Sequence, residues 1–212
     1  MKAFKNSEGS LIVRRMITVI QKNKDYLSEV DGAIGDGDHG INMNKGFTFC
    51  EQRMEGKDLS ANEALNLLGT ILMSEIGGSM GPLYGSFFRA MAREADGHEL
   101  IDGEVFYAML NSAAGKLSDL GNAKVGDKTL MDALIPAVSA LRNALDSNSD
   151  LDVALQEMSH AAKKGRDSTE DMVAKIGRSA RLGERSRGTL DAGATSCALL
   201  LDAMKDAIIE LL

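Results

Sequence analysis

Residues 11–54 read LIVRRMITVIQKNKDYLSEVDGAIGDGDHGINMNKGFTFCEQRM, and the fold turns on how this stretch divides. Leu11, Met16, Val19, Ile20 and Leu27 recur at helical spacing and predict an amphipathic helix that ends near Gly32–Gly40. A second helix is expected from Ile41 to Met54. Between them stands Asp31-Gly-Ala-Ile-Gly-Asp36-Gly-Asp38-His39-Gly40, a loop of glycines and carboxylates. The unit is therefore helix, glycine-rich acidic loop, helix.

The rest of the chain follows the same plan. Ser60 opens a third helix, with Glu63 at the capping-box distance, and Leu65, Leu68, Ile71 and Leu72 continue it. Gly77–Pro82 breaks the run and Leu83–Ala95 resumes it. Further helices are expected at 103–119, 128–146, 150–166, 168–179 and 194–211, with no alternating strand anywhere. Composition agrees: aromatic residues are 4%, Trp is absent, and Ala, Leu and Met are plentiful, a balance that favours helix over sheet. Eight or nine helices with short connections predict an all-α, antiparallel up-and-down bundle or closed helical barrel. One domain is expected over residues 1–212, since no Pro/Gly/Ser linker divides the chain.

Many of the 22 glycines cluster at 32–40, 77–85 and 183–193, which points to backbone approaching a ligand. In an up-and-down array, loops after odd-numbered helices share one end. The loops at 32–40, 77–82 and 121–127 satisfy that parity, and the one at 183–193 does so if the helix count allows. A composite site at one end of the array is the expectation. A net charge of −7 argues against nucleic acid as a partner. Cys50 and Cys197 sit in apolar stretches and read as buried small hydrophobes. With neither a signal peptide nor an apolar run of spanning length, the sequence reads as cytoplasmic.

Three carboxylates within eight residues repel one another unless hard divalent cations occupy the cluster, and Mg²⁺ or Ca²⁺ suits such oxygen donors. Asp31, Asp36 and Asp38 are accordingly the candidate metal ligands. An EF-hand fails, because Phe47 or Asn42 stands where the bidentate Glu belongs. Gly35-x-Gly37-x-x-Gly40 matches a dinucleotide fingerprint in form only: no strand precedes it, and Asp36 and Asp38 would repel a bare pyrophosphate. No Walker A loop occurs. The plainest alternative is a solvated acidic turn that caps a helix. Asn42 and Asn44 fit either reading, and His39 is expected to contact phosphate or orient a metal ligand.

Gly77-Gly-Ser-Met-Gly-Pro-Leu-Tyr-Gly85 runs a glycine turn into a helix, as phosphate cradles do. Gly126-Asp-Lys-Thr129 offers a cation and an N-cap, and Leu182-Gly-Glu-Arg-Ser186 precedes Asp191-Ala-Gly-Ala-Thr-Ser196. Together and in this order the motifs resemble the ADP-binding L subunit of bacterial dihydroxyacetone kinases, and the equivalent domain of single-chain ATP-dependent forms. The resemblance covers nearly the whole chain and is carried by residues 34–43, 81–85, 126–129 and 182–186.

The resemblance implies an eight-helix barrel with a nucleotide at one end. It implies two Mg²⁺ ions on Asp31, Asp36 and Asp38 that bridge the phosphates of ADP or ATP. It assigns nucleotide binding to His39, Gly40, Ile41, Asn42, Ser79, Met80, Gly121, Leu130, Arg178, Asp191, Ala192 and Gly193. No catalytic side chain is expected from this chain, because phosphoryl transfer rests on positioning and charge stabilisation. The implied partners are a sugar-binding K subunit, a phosphotransferase-type M subunit, a transcription regulator and a second copy in a homodimer. Met80 stands where the family commonly has serine, and Thr189–Gly193 lacks the family's histidine and Asp-Pro-Gly, with Arg187 adding a charge beside it. Two other functions stay open: a nucleotide-binding regulatory module, and a metal-dependent hydrolase that would act without a partner.

Overall fold

Nine α-helices account for most of residues 2–212, the part of the chain described by the computed structural model; of the expected 1–212 span, Met1 lies outside it. They are α1 (Ser10–Lys22), α2 (Lys24–Ile34), α3 (His39–Met54), α4 (Ala61–Glu75), α5 (Met80–Ala95), α6 (Gly103–Gly121), α7 (Met131–Asp146), α8 (Leu151–Ser168) and α9 (Ala192–Leu211). Each helix from α3 onward packs on the next, α9 packs on α1 and α2, and these return to α3. One connected core runs through all nine, with Phe47, Phe88 and Phe106 among its largest buried side chains. No helix among the described residues is long and apolar enough to cross a membrane.

The expected first helix is two. The Asn23 side chain donates to the Val19 carbonyl at 2.8 Å, competing with the backbone ladder at that point. The chain bends there and resumes as α2 with the bond from the Leu27 N–H to the Asn23 carbonyl. The expected absence of strands also needs correction: β1 (Ala3–Lys5) and β2 (Leu100–Asp102) form a short antiparallel ribbon in which Phe4 opposes Ile101. Three residues are too few to display an alternating pattern. The capping box at α4 forms as expected, with Ser60 and Glu63 bonding each other's backbone N–H groups.

The largest departure is at 168–179, expected as a helix. The chain makes one 3-10 turn (Thr169–Asp171), runs extended, and turns again in 3-10 fashion over Ser179–Ser186. The cause lies outside the segment: the buried Lys128 ammonium takes the Met172 carbonyl, which the expected helix would have used, together with those of Ser186 and Thr189 beyond it.

Close backbone crossings fix the helix ends. A Cβ on Gly40 would lie 2.0 Å from the Lys24 carbonyl oxygen, and one on Gly81 would lie 2.2 Å from that of Ile76. Only glycine lets α3 cross α2, and α5 cross the end of α4, at that distance. Pro136 inside α7 has no N–H for the Asp132 carbonyl, and that oxygen faces Gly165 of α8, where a Cβ would sit at 2.0 Å.

Candidate functional site

A cavity of about 670 Å³ opens at one end of the helical array. Its wall comes from four places: the α2–α3 loop, the α4–α5 loop, the α6–α7 loop, and the segment between α8 and α9. With α1 and α2 taken as one interrupted helix, each of these loops follows an odd-numbered helix, which explains the convergence. The volume is in the range that holds small ligands.

Residues at or beside the starts of α3, α5, α7 and α9 all line the cavity, through His39, Met80, Leu130 and Ala192. Helix N-termini carry free N–H groups and partial positive charge, so this wall favours an anion. The N-cap residues of α3, α5 and α7 make no side-chain cap bond, although the first N–H of α3 is taken by Asp31 and that of α7 by Thr129 Oγ1. At α9 the Asp191 carboxylate accepts the Ala194 N–H at 2.7 Å.

Opposite charge gathers on one side. Asp31, Asp36 and Asp38 each offer an oxygen, and these oxygens lie within 4.8 Å of one another. Asp31 is in the last turn of α2, the negative end of that helix, where no basic residue offsets it. Its carboxylate accepts the His39 N–H at 3.3 Å, and Asp36 pairs with Arg178 from the far side of the cavity. One guanidinium against three carboxylates leaves net negative charge on hard oxygen donors, so the cluster fits a divalent cation such as Mg²⁺.

Behind this cluster the polar floor is a chain of hydrogen bonds. His39 Nε2 is 2.9 Å from Ser196 Oγ, which is 2.7 Å from the Tyr84 hydroxyl, and both hydroxyls reach the Gly193 carbonyl. Burial pushes the His39 imidazole below its ordinary value, against the pull of Asp31. Burial likewise raises the Tyr84 phenol, helped by Cys197 and opposed by its bond to Ser196. Both thiols, Cys50 and Cys197, are buried, and burial lifts each to about 12, which makes them inert.

Asp191 receives further support. Its own N–H donates to Thr169 Oγ1 at 2.9 Å, and Thr169 is fully buried. Burial pushes the Asp191 carboxyl up to about 7, reinforced by Asp132 and Asp31 and countered by the Ala194 N–H and by Lys128.

Lys128 lies in the loop before α7 and is 1% exposed. Its φ of 62° is left-handed, a conformation that costs a non-glycine residue roughly 1–2 kcal/mol. Asp132 holds that loop by accepting the Thr129 N–H at 2.7 Å and the Gly126 N–H at 2.5 Å.

Of the sequence-predicted residues, Asp31, Asp36, Asp38, His39, Asn42, Ser79, Met80, Gly121, Leu130, Arg178, Asp191, Ala192 and Gly193 all line this one cavity. Gly40 and Ile41 do not: Gly40 is packed on α2, and Ile41 is 53% exposed away from the wall. The cation offered by Gly126–Thr129 is committed to backbone carbonyls. Reasoning from sequence missed Leu120, Ile176 and Tyr84 as wall residues, Ser196 as the support of Tyr84 and His39, and Thr169 as the support of Asp191. Tyr84 and Ser196 fall inside motifs already singled out, whereas nothing local marked Thr169.

Residues 33–206 match the DAK2 domain family. The chain is 36% identical over 196 residues to the ADP-binding subunit DhaL of PEP-dependent dihydroxyacetone kinase 2 from Listeria innocua, covering 91% of this chain and 90% of that one. It is 35% identical over 193 residues to the corresponding ADP-binding subunit from Escherichia coli, covering 91% and 92%. Among solved structures it resembles the dihydroxyacetone kinase from C. freundii in complex with AMP-PNP and Mg²⁺, with a TM-score of 0.72 and 24% identity. That match covers 97% of this chain and 35% of that one, so the chain spans about a third of that kinase's length.

Proposed function

The chain belongs to the DAK2 domain family, and from that premise we propose that it is the nucleotide-holding subunit of a dihydroxyacetone-type kinase. The observation that carries the reading is the cavity itself. Three carboxylates within 4.8 Å line one side, and the starts of four helices contribute to the rest. Carboxylates alone would repel a nucleotide diphosphate, and helix N-termini alone would not explain three aspartates. A Mg²⁺-bridged nucleotide satisfies both halves.

In this reading Asp31, Asp36 and Asp38 hold two Mg²⁺ ions. Bound Mg²⁺ would neutralise phosphate charge and draw electrons from the transferring group. The amides at the starts of α3 and α5, including those of Ser79 and Met80, donate to phosphate oxygens, and His39 is held toward them by Ser196. Arg178 exchanges its contact with Asp36 for a phosphate. Leu120, Leu130 and Ile176 give the apolar wall that suits a flat base. Asp191 caps α9 and shapes the loop over the sugar–phosphate portion. The chain supplies no nucleophile: it positions the phosphoryl group, and a separate sugar-binding subunit presents the small keto-sugar that receives it. Met80 replaces one hydroxyl donor with a thioether, which weakens the hold on phosphate without touching the aspartates.

The closed circuit of contacts, with α1 and α2 counted as one helix, supports reading the array as an up-and-down eight-helix barrel in one domain. The site then caps one end, open to a partner.

The test is direct. The full chain, purified without added nucleotide, is extracted with acid and the extract chromatographed; a chain with no Trp and three Tyr gives a bound adenine a clear spectrum. It is then titrated with Mg-ADP, alongside Asp36→Ala. Retained ADP, or reversible Mg-ADP binding that Asp36→Ala abolishes while leaving helicity intact, is the expected result. A chain that neither retains nor binds nucleotide would overturn the reading, and steady hydrolysis without any partner would replace it with a hydrolase.

A further inference from the structure

We infer that Lys128 is a positioning residue of the nucleotide pocket: its ammonium staples the two ends of segment 172–189 together and so presents Ile176, Arg178 and Asp191 to the cavity. The inference rests on the reading of the pocket just given and adds a residue to it.

The donor count is the first argument. An ammonium has three N–H donors and no acceptor. Lys128 Nζ lies 3.2 Å from the Met172 carbonyl oxygen, 2.6 Å from that of Ser186 and 2.6 Å from that of Thr189. All three protons are used, and none is left for a phosphate oxygen. Although Lys128 lines the cavity, it does not act on phosphate as the lysine of a P-loop does.

The second argument is where the acceptors sit. They lie 44, 58 and 61 residues beyond Lys128, one at the start of the segment and two at its end. Between them the chain has no α-helix and no strand, only a 3-10 turn over Ser179–Ser186, so little local backbone bonding holds it. The Gly188 N–H donates to the Glu170 carbonyl at 2.8 Å and Arg178 pairs with Asp36; three further ties lie near Lys128. The Lys175 N–H donates to the Asp127 carbonyl, the Lys175 ammonium is 3.5 Å from the Asp127 carboxylate, and the Ala174 N–H donates to Ser186 Oγ at 2.9 Å. Asp127 and Lys128 together form the anchor.

The third argument is what the segment carries. Ile176, Gly177, Arg178 and Ser179 stand on the cavity wall between the stapled ends, and Asp191 follows two residues after the last stapled carbonyl. Removing the ammonium takes one donor from each of three carbonyls, of which that of Ser186 keeps only the Thr189 hydroxyl at 3.3 Å, and frees the segment that completes the wall.

The experiment compares the wild-type chain with Lys128→Met, which keeps the length of the side chain and removes its charge. Hydrogen exchange, measured without nucleotide, is followed in peptides from 172–189 and, as a control, in α4 and α5. Mg-ADP affinity is measured by calorimetry, and Mn²⁺ alone serves as the probe of the aspartate cluster. The expected result is exchange faster by about ten-fold or more in 172–189 with α4 and α5 unchanged. Mg-ADP binding should weaken by about 10- to 100-fold, while Mn²⁺ affinity stays within about two-fold. Weaker Mg-ADP binding with unchanged exchange would make Lys128 a direct ligand and overturn the inference. Faster exchange with Mg-ADP affinity within about two-fold would also overturn it, since the staple would then have no bearing on the pocket. If Lys128→Met does not fold, Lys128→Arg is read in the same way, because a planar guanidinium cannot serve three carbonyls converging on one ammonium. A wild-type chain that binds no Mg-ADP would sink the reading of the pocket instead, and the exchange comparison would still decide whether the staple exists.

Discussion

The acidic loop between α2 and α3 and the segment between α8 and α9 face each other across one cavity and are built on opposite principles. The acidic loop is local and only partly neutralised: its three carboxylates come from eight consecutive residues, and among the described residues Arg178 is the one cationic side chain paired with them. The far segment is held at long range by a buried cation, and across its own turns by the hydroxyls of Thr169 and Ser186. The first region spends stability to create a binding charge. The second uses buried hydrogen bonds to bring a few side chains into that charge's reach. Function in such a site is expected to fail at the first region without unfolding, and stability to fail at the second.

Asp36→Ala gives the largest expected effect. Mg-ADP affinity should fall by about 100-fold or more, and phosphoryl transfer in the enzyme reconstituted with its sugar-binding partner should be abolished. The melting temperature should hardly move, because the Asp36–Arg178 pair is solvent-exposed and contributes little. Full activity in this variant would end the comparison.

Thr169→Val should show the converse. Its hydroxyl donates to the Arg166 carbonyl at 2.6 Å and accepts the Asp191 N–H at 2.9 Å, in a fully buried position. Losing both bonds should cost about 1–3 kcal/mol in urea unfolding, with Mn²⁺ binding unchanged.

A smaller effect is expected from Asp191, whose carboxyl lies near 3.8 when unfolded and is raised to about 7 in the fold. Between those values the folded chain keeps a proton that the unfolded chain gives up. Metal-free stability should therefore decline as pH rises from about 4 to about 7, and Asp191→Asn should flatten that slope while keeping the helix cap. Thermal melts across that pH range measure it; an unchanged slope would show that Asp191 is well solvated.

The smallest effect is at Asp38→Asn. In metal-free buffer it should leave the melting temperature unchanged or slightly raised, since a crowded carboxylate is removed and no cap bond is lost. Excess Mg²⁺ should reverse the order of the two proteins. A variant clearly less stable than wild type without metal would mean the acidic loop is structural after all.

Most of the acidic side was legible in the sequence. Hydrophobic period, the Ser60–Glu63 capping box and the glycine loops gave the helices and their order, because each depends on neighbours a few residues apart. The aspartates stood out by their spacing, the other twelve residues came from the family resemblance, and thirteen of the fifteen line the one cavity. Ile41 did not, since a run of four consecutive residues on a helix cannot all face one side. Gly40 did not because it is where α3 touches α2.

The break at Asn23 rests on one local side-chain bond, whereas the ribbon of β1 and β2 and above all the unwinding of 168–179 were decided only by tertiary structure. Each depends on a group whose partner is distant or whose local signal is too short to read. Sequence pattern registers what repeats at 2 or 3.6 residues. A lysine that collects carbonyls 44 to 61 residues away leaves no period, and a propensity for helix is readily overruled by a buried charge that needs three acceptors. The sequence by itself determined which charges the protein brings to its ligand. Only the closed fold decided which of its cations faces the cavity and which is spent in holding the wall.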